Sequence, residues 1–226
     1  MRKTPAALFG LILAAVLLTG CPAALHGPRT TEYYMPEYDS PSFESRPPAP
    51  FTILVKSFGA APPYRSARIV YSEAPFKRNA YHYHQWRSEP ADMAAYFLTR
   101  DFRNSGLFSG VFSYDEESAA TRFIFGTVEE FYEKDGPDGW TAVFALSVTL
   151  SSENVPQSPE ETLFQRAYRV ERKCRERNPK SLAEAMSAAM SEVSRQVILD
   201  VYQRLAAPAG PPGDERERGR ADESGR

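Results

Sequence analysis

The chain has little of what chemistry at a protein site usually requires. Its 226 residues include two cysteines and three histidines. That is too few cysteines for a disulfide framework, and it leaves scant imidazole for a metal centre, where three or four ligands must converge. Cations are not in excess either: 27 Lys and Arg stand against 29 Asp and Glu, a net charge of -2. A chain without surplus cations has nothing to neutralise a run of phosphates, so no nucleic-acid partner is expected. No GxSxG, HExxH, P-loop or dinucleotide-binding pattern occurs. Glu129-Glu130 and Glu160-Glu161 are adjacent pairs, which a strand would send to opposite faces rather than across a scissile bond. No apolar run reaches the roughly 20 residues that cross a bilayer. What remains is ordinary for a globular domain, 42% hydrophobic and 25% charged.

The longest apolar stretch, Ala6 to Leu18, is broken only by Gly10 and follows the basic pair Arg2 and Lys3. This is the layout of a secretory signal. It runs into Leu18-Thr19-Gly20-Cys21, which looks like a bacterial lipobox. The aliphatic residue and two small residues suit the processing enzymes, and the thiol accepts diacylglycerol. Cleavage before Cys21 leaves a mature chain that has lost Arg2 and Lys3, so its net charge falls from -2 to -4. A cysteine carrying diacylglycerol and a further acyl chain such as palmitate exceeds the two-signal requirement for stable anchoring. Enteric lipoproteins retained at the inner membrane usually carry Asp at the next position. Pro22 stands there instead, which points to the outer membrane, with the rest of the chain facing the periplasm.

The expected organisation has four parts. Residues 1–20 are the signal peptide, and 21–50 are the lipidated cysteine with a Pro-rich tether. Residues 51–205 form one domain, and 206–226 are a disordered tail rich in Pro, Gly and charge. Seven of the 19 prolines lie between 22 and 50, favouring extended polyproline II. Within the tether, Glu32-Tyr33-Tyr34-Met35-Pro36 is an aromatic island. It reads either as a short edge strand docked on the domain or as a partner-binding motif.

Inside 51–205 the hydrophobic period alternates between two and 3.6. Strands are predicted at Phe51–Val55, Arg68–Ser72, Phe76–Trp86, Val111–Tyr114, around Phe123–Phe131, at Ala142–Leu150 and at 162–172. A hairpin loop falls at Asp135–Gly139. A helix is predicted with Ser88 as N-cap, Pro90 in its first turn and Met93, Tyr96, Phe97 and Phe102 along it, ending at Gly106. A second helix opens on Ser181-Leu182-Ala183-Glu184, read as a capping box. Leu182, Met186, Ala189, Val193, Val197, Val201 and Leu205 make its apolar stripe. The fold class is α+β, a two-layer antiparallel-dominated sheet packed against two helices.

Few side chains suggest chemistry. His82 and His84 would share one face of a strand, but no third ligand is near, so no metal site is expected. Cys174 sits in Arg172-Lys173-Cys174-Arg175, where basic neighbours favour a thiolate. No base can be assigned to it, so no catalytic residue is expected.

Taken in order and spacing, several segments resemble the ABC-type transport auxiliary lipoprotein family, of the paraquat-inducible outer-membrane lipoprotein type. They are the lipobox, Tyr33-Tyr34-Met35-Pro36, the strand Phe51–Val55, and Pro63-Tyr64 leading into Arg68-Ile69-Val70-Tyr71. The Tyr-rich strand reaching Trp86, Pro90 with the first helix, Gly106-Leu107-Phe108, Val128–Phe131 and the terminal helix complete the series. The resemblance implies a non-enzymatic accessory without a cofactor. Its partners would be ABC transporter components and a mammalian-cell-entry (MCE) domain protein, in a system moving lipids or other apolar molecules between the two membranes. It also implies contact through a homo-oligomer. Tyr33, Tyr34 and Trp86 are expected as the partner surface or its support, since aromatic side chains contribute large area for few rotatable bonds. Two other functions stay open: a lipid-binding carrier with its own pocket, and a structural or assembly lipoprotein of the envelope.

Overall fold

A computed structural model describes residues 30–206 apart from 118 and 153–160. The signal peptide, the acyl acceptor Cys21, the tether up to residue 29, Glu160 and the tail from 207 lie outside the described residues.

Alternating and continuous apolar runs produce the sheet. Its strands are β1 (Glu32–Tyr34), β2 (Ala49–Val55), β3 (Gly59–Ala60), β4 (Arg68–Ser72), β5 (Asn79–Trp86), β6 (Phe108–Ser113), β7 (Arg122–Gly136), β8 (Gly139–Ser152) and β9 (Glu161–Lys173). The antiparallel character expected from the sequence is carried by the two longest ladders, β7–β8 and β8–β9. The first is closed by a tight turn at Pro137-Asp138. Gly126 on β7 is required by close approach, because a Cβ there would lie 2.0 Å from the Ser147 carbonyl oxygen. Along the other edge of β7, the strands β2, β3 and β4 lie end to end, all parallel to it. A single 3-10 turn at Pro62–Tyr64 separates the last two. The sheet therefore forks: β2 continues to β6, and β4 continues to β5 and then β1. No short-range pattern announces these parallel pairings, since this edge of β7 is paired by segments far away in sequence.

Two helices fill the concave side. Helix α1 (Pro90–Ser105) begins after Glu89, which makes no side-chain cap. Ser88 is thus one residue outside the boundary, and Pro90 with its fixed φ starts the helix. The helix stops at Gly106, whose φ of 65° is the left-handed conformation that glycine adopts without strain. Helix α2 (Pro179–Ala206) is also capped differently from expectation. Asn178 Oδ1 accepts the Ser181 amide at 2.8 Å, so Asn178 is the cap and Pro179 opens the first turn. Ser181 lies inside the helix, where its hydroxyl accepts the Arg175 and Glu176 amides. The predicted stripe holds: Leu182, Met186, Ala189, Val193, Val197 and Val201 are all buried, and Leu205 is half-buried.

That stripe is only part of what α2 buries. Ser187, Ser194, Ile198 and Tyr202 are buried as well, because the helix is covered on two sides. The second cover is the segment 35–48, expected as tether. It runs over both helices as a strap, held by the Glu37 amide donating to Ser187 Oγ (2.9 Å) and Tyr202 OH donating to the Pro47 carbonyl (2.9 Å). Prolines kept it from pairing as a long strand, yet nothing in them prevents side-chain anchoring. Before the strap, β1 pairs with β5 as a short edge strand, the plainer of the two readings of the aromatic island.

Candidate docking surface

The strap is fixed by one buried carboxylate. Asp101 is wholly buried on α1 and accepts Tyr38 OH (2.9 Å), Ser40 Oγ (2.8 Å) and the Arg100 guanidinium (2.7 and 2.9 Å). Four donors offset the desolvation of that charge. The Tyr38 ring stacks on Phe97 at 5.1 Å, under the Arg100 guanidinium. Burial beside Asp101 raises the Tyr38 hydroxyl far above its ordinary value, so it stays a donor at all accessible pH.

With sheet on one side and strap on another, α1 exposes one narrow arc. At 100° per residue, Met93 and Phe97 point inward while Tyr96 falls with Asp92 and Arg103. Tyr96, expected in the apolar stripe, is in fact 61% exposed. It stands between two grooves. One, of about 510 Å³, is lined by Phe58, Thr99, Arg103, Asn104 and Tyr114. The other, of about 530 Å³, lies against the strap at Met35, Asp39 and Arg100. Met35 and Tyr114 are exposed too. The result is a ridge on which Tyr96 and Tyr114 are rigid and amphipathic, the kind of side chain that contributes contact area with few rotatable bonds, and Met35 is an adaptable apolar one. Tyr96 and Asp101 went unassigned in the sequence. A charged residue between Leu98 and Phe102 on an inward arc was the available signal for Asp101.

The three residues named from the sequence sit around the sheet edge. Tyr33 is 55% exposed, its ring beneath the Arg87 guanidinium. Tyr34 is half-buried and donates to Glu32 at 2.5 Å, and burial with that hydrogen bond raises its hydroxyl to about 12. Trp86 is 1% exposed and packs edge-on against Phe131. It touches no solvent, so only a supporting role is open to it.

The residues weighed for chemistry separate. An irregularity in the β4–β5 pairing puts five steps of β5 opposite two of β4, and this breaks the alternation that was to align His82 with His84. The His84 ring lies against Tyr34 and Tyr81, with Nδ1 3.4 Å from Glu32 Oε2, while His82 contacts Tyr83. Among the described residues no three His, Cys, Asp or Glu side chains gather as a metal site. Cys174 is half-buried, and burial beside Glu133 raises its thiol to about 11. Its basic neighbours in sequence do not produce a thiolate. Glu133, which the sequence did not single out, is 1% exposed and held by Tyr81 OH at 3.0 and 3.1 Å. Desolvation raises its carboxyl to about 7. It lies in a stretch of β7 buried on both faces, where no alternation marks it.

The space between helices and sheet is filled. Phe102, Phe131, Phe144, Trp86, Leu182 and Met186 occupy it within one continuous core. The grooves described above open on the outside.

Solved structures share this fold. Protein XCC0632 from Xanthomonas campestris, of family DUF330, superposes with a TM-score of 0.65 at 20% identity, over 76% of this chain and 96% of its own. A second, described as an uncharacterized protein, gives 0.57 at 13% identity, over 72% and 99%. These likenesses define the class: an α+β domain with a forked, curled sheet and two helices. No curated protein matches the sequence. The family described as "ABC-type transport auxiliary lipoprotein component" matches residues 35–198, and the chain belongs to that family. It is thus an accessory lipoprotein, of a family not known for catalysis. Among the described residues no helix is long and apolar enough to cross a membrane.

Proposed function

We propose that the protein is an outer-membrane-tethered periplasmic lipoprotein. It acts without catalysis as the docking accessory of an ABC system containing an MCE-domain protein, which moves lipids or other apolar molecules between the membranes. Family membership over residues 35–198 carries this reading, and the lipobox ending at Cys21 supports it. The exposed ridge at Tyr96, Tyr114 and Met35, and the exposed Tyr33 at the sheet edge, are suited to a protein partner, and a homo-oligomer of this chain would repeat them. The filled core speaks against the carrier alternative, in which an acyl chain would lie between helices and sheet.

The test is crosslinking in cells followed by mass spectrometry. The expected adduct contains the MCE-domain protein, and its yield falls when Tyr33→Ala is combined with Tyr34→Ala, and again with Tyr96→Ala. Adducts made only of peptidoglycan enzymes or assembly machinery would replace this reading with the structural one.

A further inference from the structure

Strand directions bring three separate chain positions to one end of the sheet. Strands β4 and β7 run parallel, so the β4–β5 tip (73–78) and the β7–β8 tip (Pro137-Asp138) lie together. Strand β9 ends there, with Lys173 opposite Thr141, and the loop 174–178 follows. Strand β1 is parallel to β5 and pairs with its last three residues, Glu32 opposite His84, so the chain joins the sheet further along β5 and runs away from this end. Glu32 is about 20 Å along β5 from the first tip.

Two properties of that end are unexplained by folding. Phe76, at the β4–β5 tip, is fully exposed and has a φ of 63°. A bulky residue in the left-handed region is strained, and an exposed phenyl ring returns nothing to the fold. The second property is charge. The stretch 173–180 holds Lys173, Arg175, Arg177 and Lys180 against Glu176, all exposed. Lys77 and Arg78 follow Phe76, Lys77 paired with Glu73 at 2.6 Å and Arg78 lying over the Tyr132 ring. The whole chain carries -2, so these cations are concentrated against its overall sign. Among the described residues Lys173, Arg175 and Lys180 make no ion pair. Arg177 binds the Gly136 and Pro137 carbonyls and Asp135, tying the second tip to the loop. Between them opens a cleft of about 400 Å³ lined by Asp138, Trp140 and Arg175.

We propose that this end of the domain rests on the membrane that holds Cys21, with Phe76 entering the interface and the cations of 173–180 facing anionic phospholipid headgroups. An exposed aromatic beside Lys and Arg suits that boundary, where the ring meets acyl chains and each cation adds electrostatic attraction. The tether length agrees. Ten residue steps separate Cys21 from Thr31, a reach of at most about 36 Å, which exceeds the distance from Glu32 to the first tip. The proposal rests on the lipoprotein reading above. It leaves the Tyr96 ridge free for a protein partner.

The test uses the full processed chain, purified with its N-terminus and reconstituted into vesicles of phosphatidylethanolamine and phosphatidylglycerol. The vesicles carry a phospholipid with a photoactivatable group near its phosphate. Peptide mapping is expected to find lipid adducts in 73–78 and 173–180. Phe76→Ser and the pair Lys173→Glu with Arg175→Glu should each lower the yield several-fold, with unchanged thermal unfolding. Adducts on α1 or elsewhere, or none on the domain, would overturn the orientation. So would adducts of the MCE-domain protein at 73–78 in the cell crosslinking, which would make this end a protein contact. An intact mass without acyl chains would instead overturn the anchoring reading, and this orientation with it.

Discussion

At the scale of single residues, two buried carboxylates govern different things. Asp101 holds the strap, and its donors come from α1 and from residues some sixty positions upstream. Asp101→Ala should leave Tyr38, Ser40 and Arg100 without their acceptor. Losing one side of a buried charged network costs roughly 3–5 kcal/mol, measurable as a lowered urea midpoint, and Asp101→Asn should cost less. Glu133 has the opposite character. Its carboxyl is raised to about 7 from an ordinary 4.5, so the folded protein holds the proton more tightly than the unfolded chain does. The corresponding stability is fully present below about 4.5 and is lost as pH rises through 7, on the order of 3 kcal/mol in all. Unfolding measured between pH 5 and pH 8 should show that decline, and Glu133→Gln should flatten it.

At the scale of elements, α2 is the spine. It meets β8 and β9 on one side and the strap on another, and Asp200 joins it to β9 by accepting Tyr168 OH (2.7 Å) and Arg166 (2.6 Å). Arg172 pairs with Glu192 to close the same interface. Val197 lies at its centre with no exposure. Val197→Asp would bury an unpaired carboxylate at a cost of several kcal/mol. That is a large share of the roughly 5–15 kcal/mol that stabilises a whole domain. Loss of the cooperative melting transition in circular dichroism is the expected result. Val197→Ala should lower the midpoint without abolishing the transition. The exposed long edge of β9 is studded with Arg166, Arg169 and Lys173, charges that discourage edge-to-edge pairing.

At the scale of the whole molecule, anchoring and reach belong together. Read as free chain, the Pro-rich stretch 22–50 would extend roughly 90 Å at ~3.1 Å per residue. With 32–34 paired to β5 and 37–47 bonded to the helices, only the residues before Thr31 remain as link. On the proposed acylation of Cys21 the domain is held near its membrane, and a partner must come to it. Cys21→Ala is expected to move the protein from the membrane fraction to the soluble fraction with the fold unchanged. Detergent-dependent retention of that variant would show that another segment anchors it.

What the sequence determined by itself is whatever depends on neighbours in the chain. Helical periodicity marked the buried stripe of α2, and alternation marked β8. Gly106 marked the end of α1, and the ordered motifs marked the family. The tertiary structure decided what depends on distant partners. Tyr33-Tyr34 became an edge strand because β5 offered an unpaired edge, and Tyr38 is half-buried against the core because Asp101 awaits it on α1. Tyr96 turned outward because sheet and strap took the other arcs of its helix. Trp86 and Glu133 were buried by strands that share no local pattern with them. The physical reason is common to all five: burial of a side chain is set by what packs against it, and here that is chain many residues away.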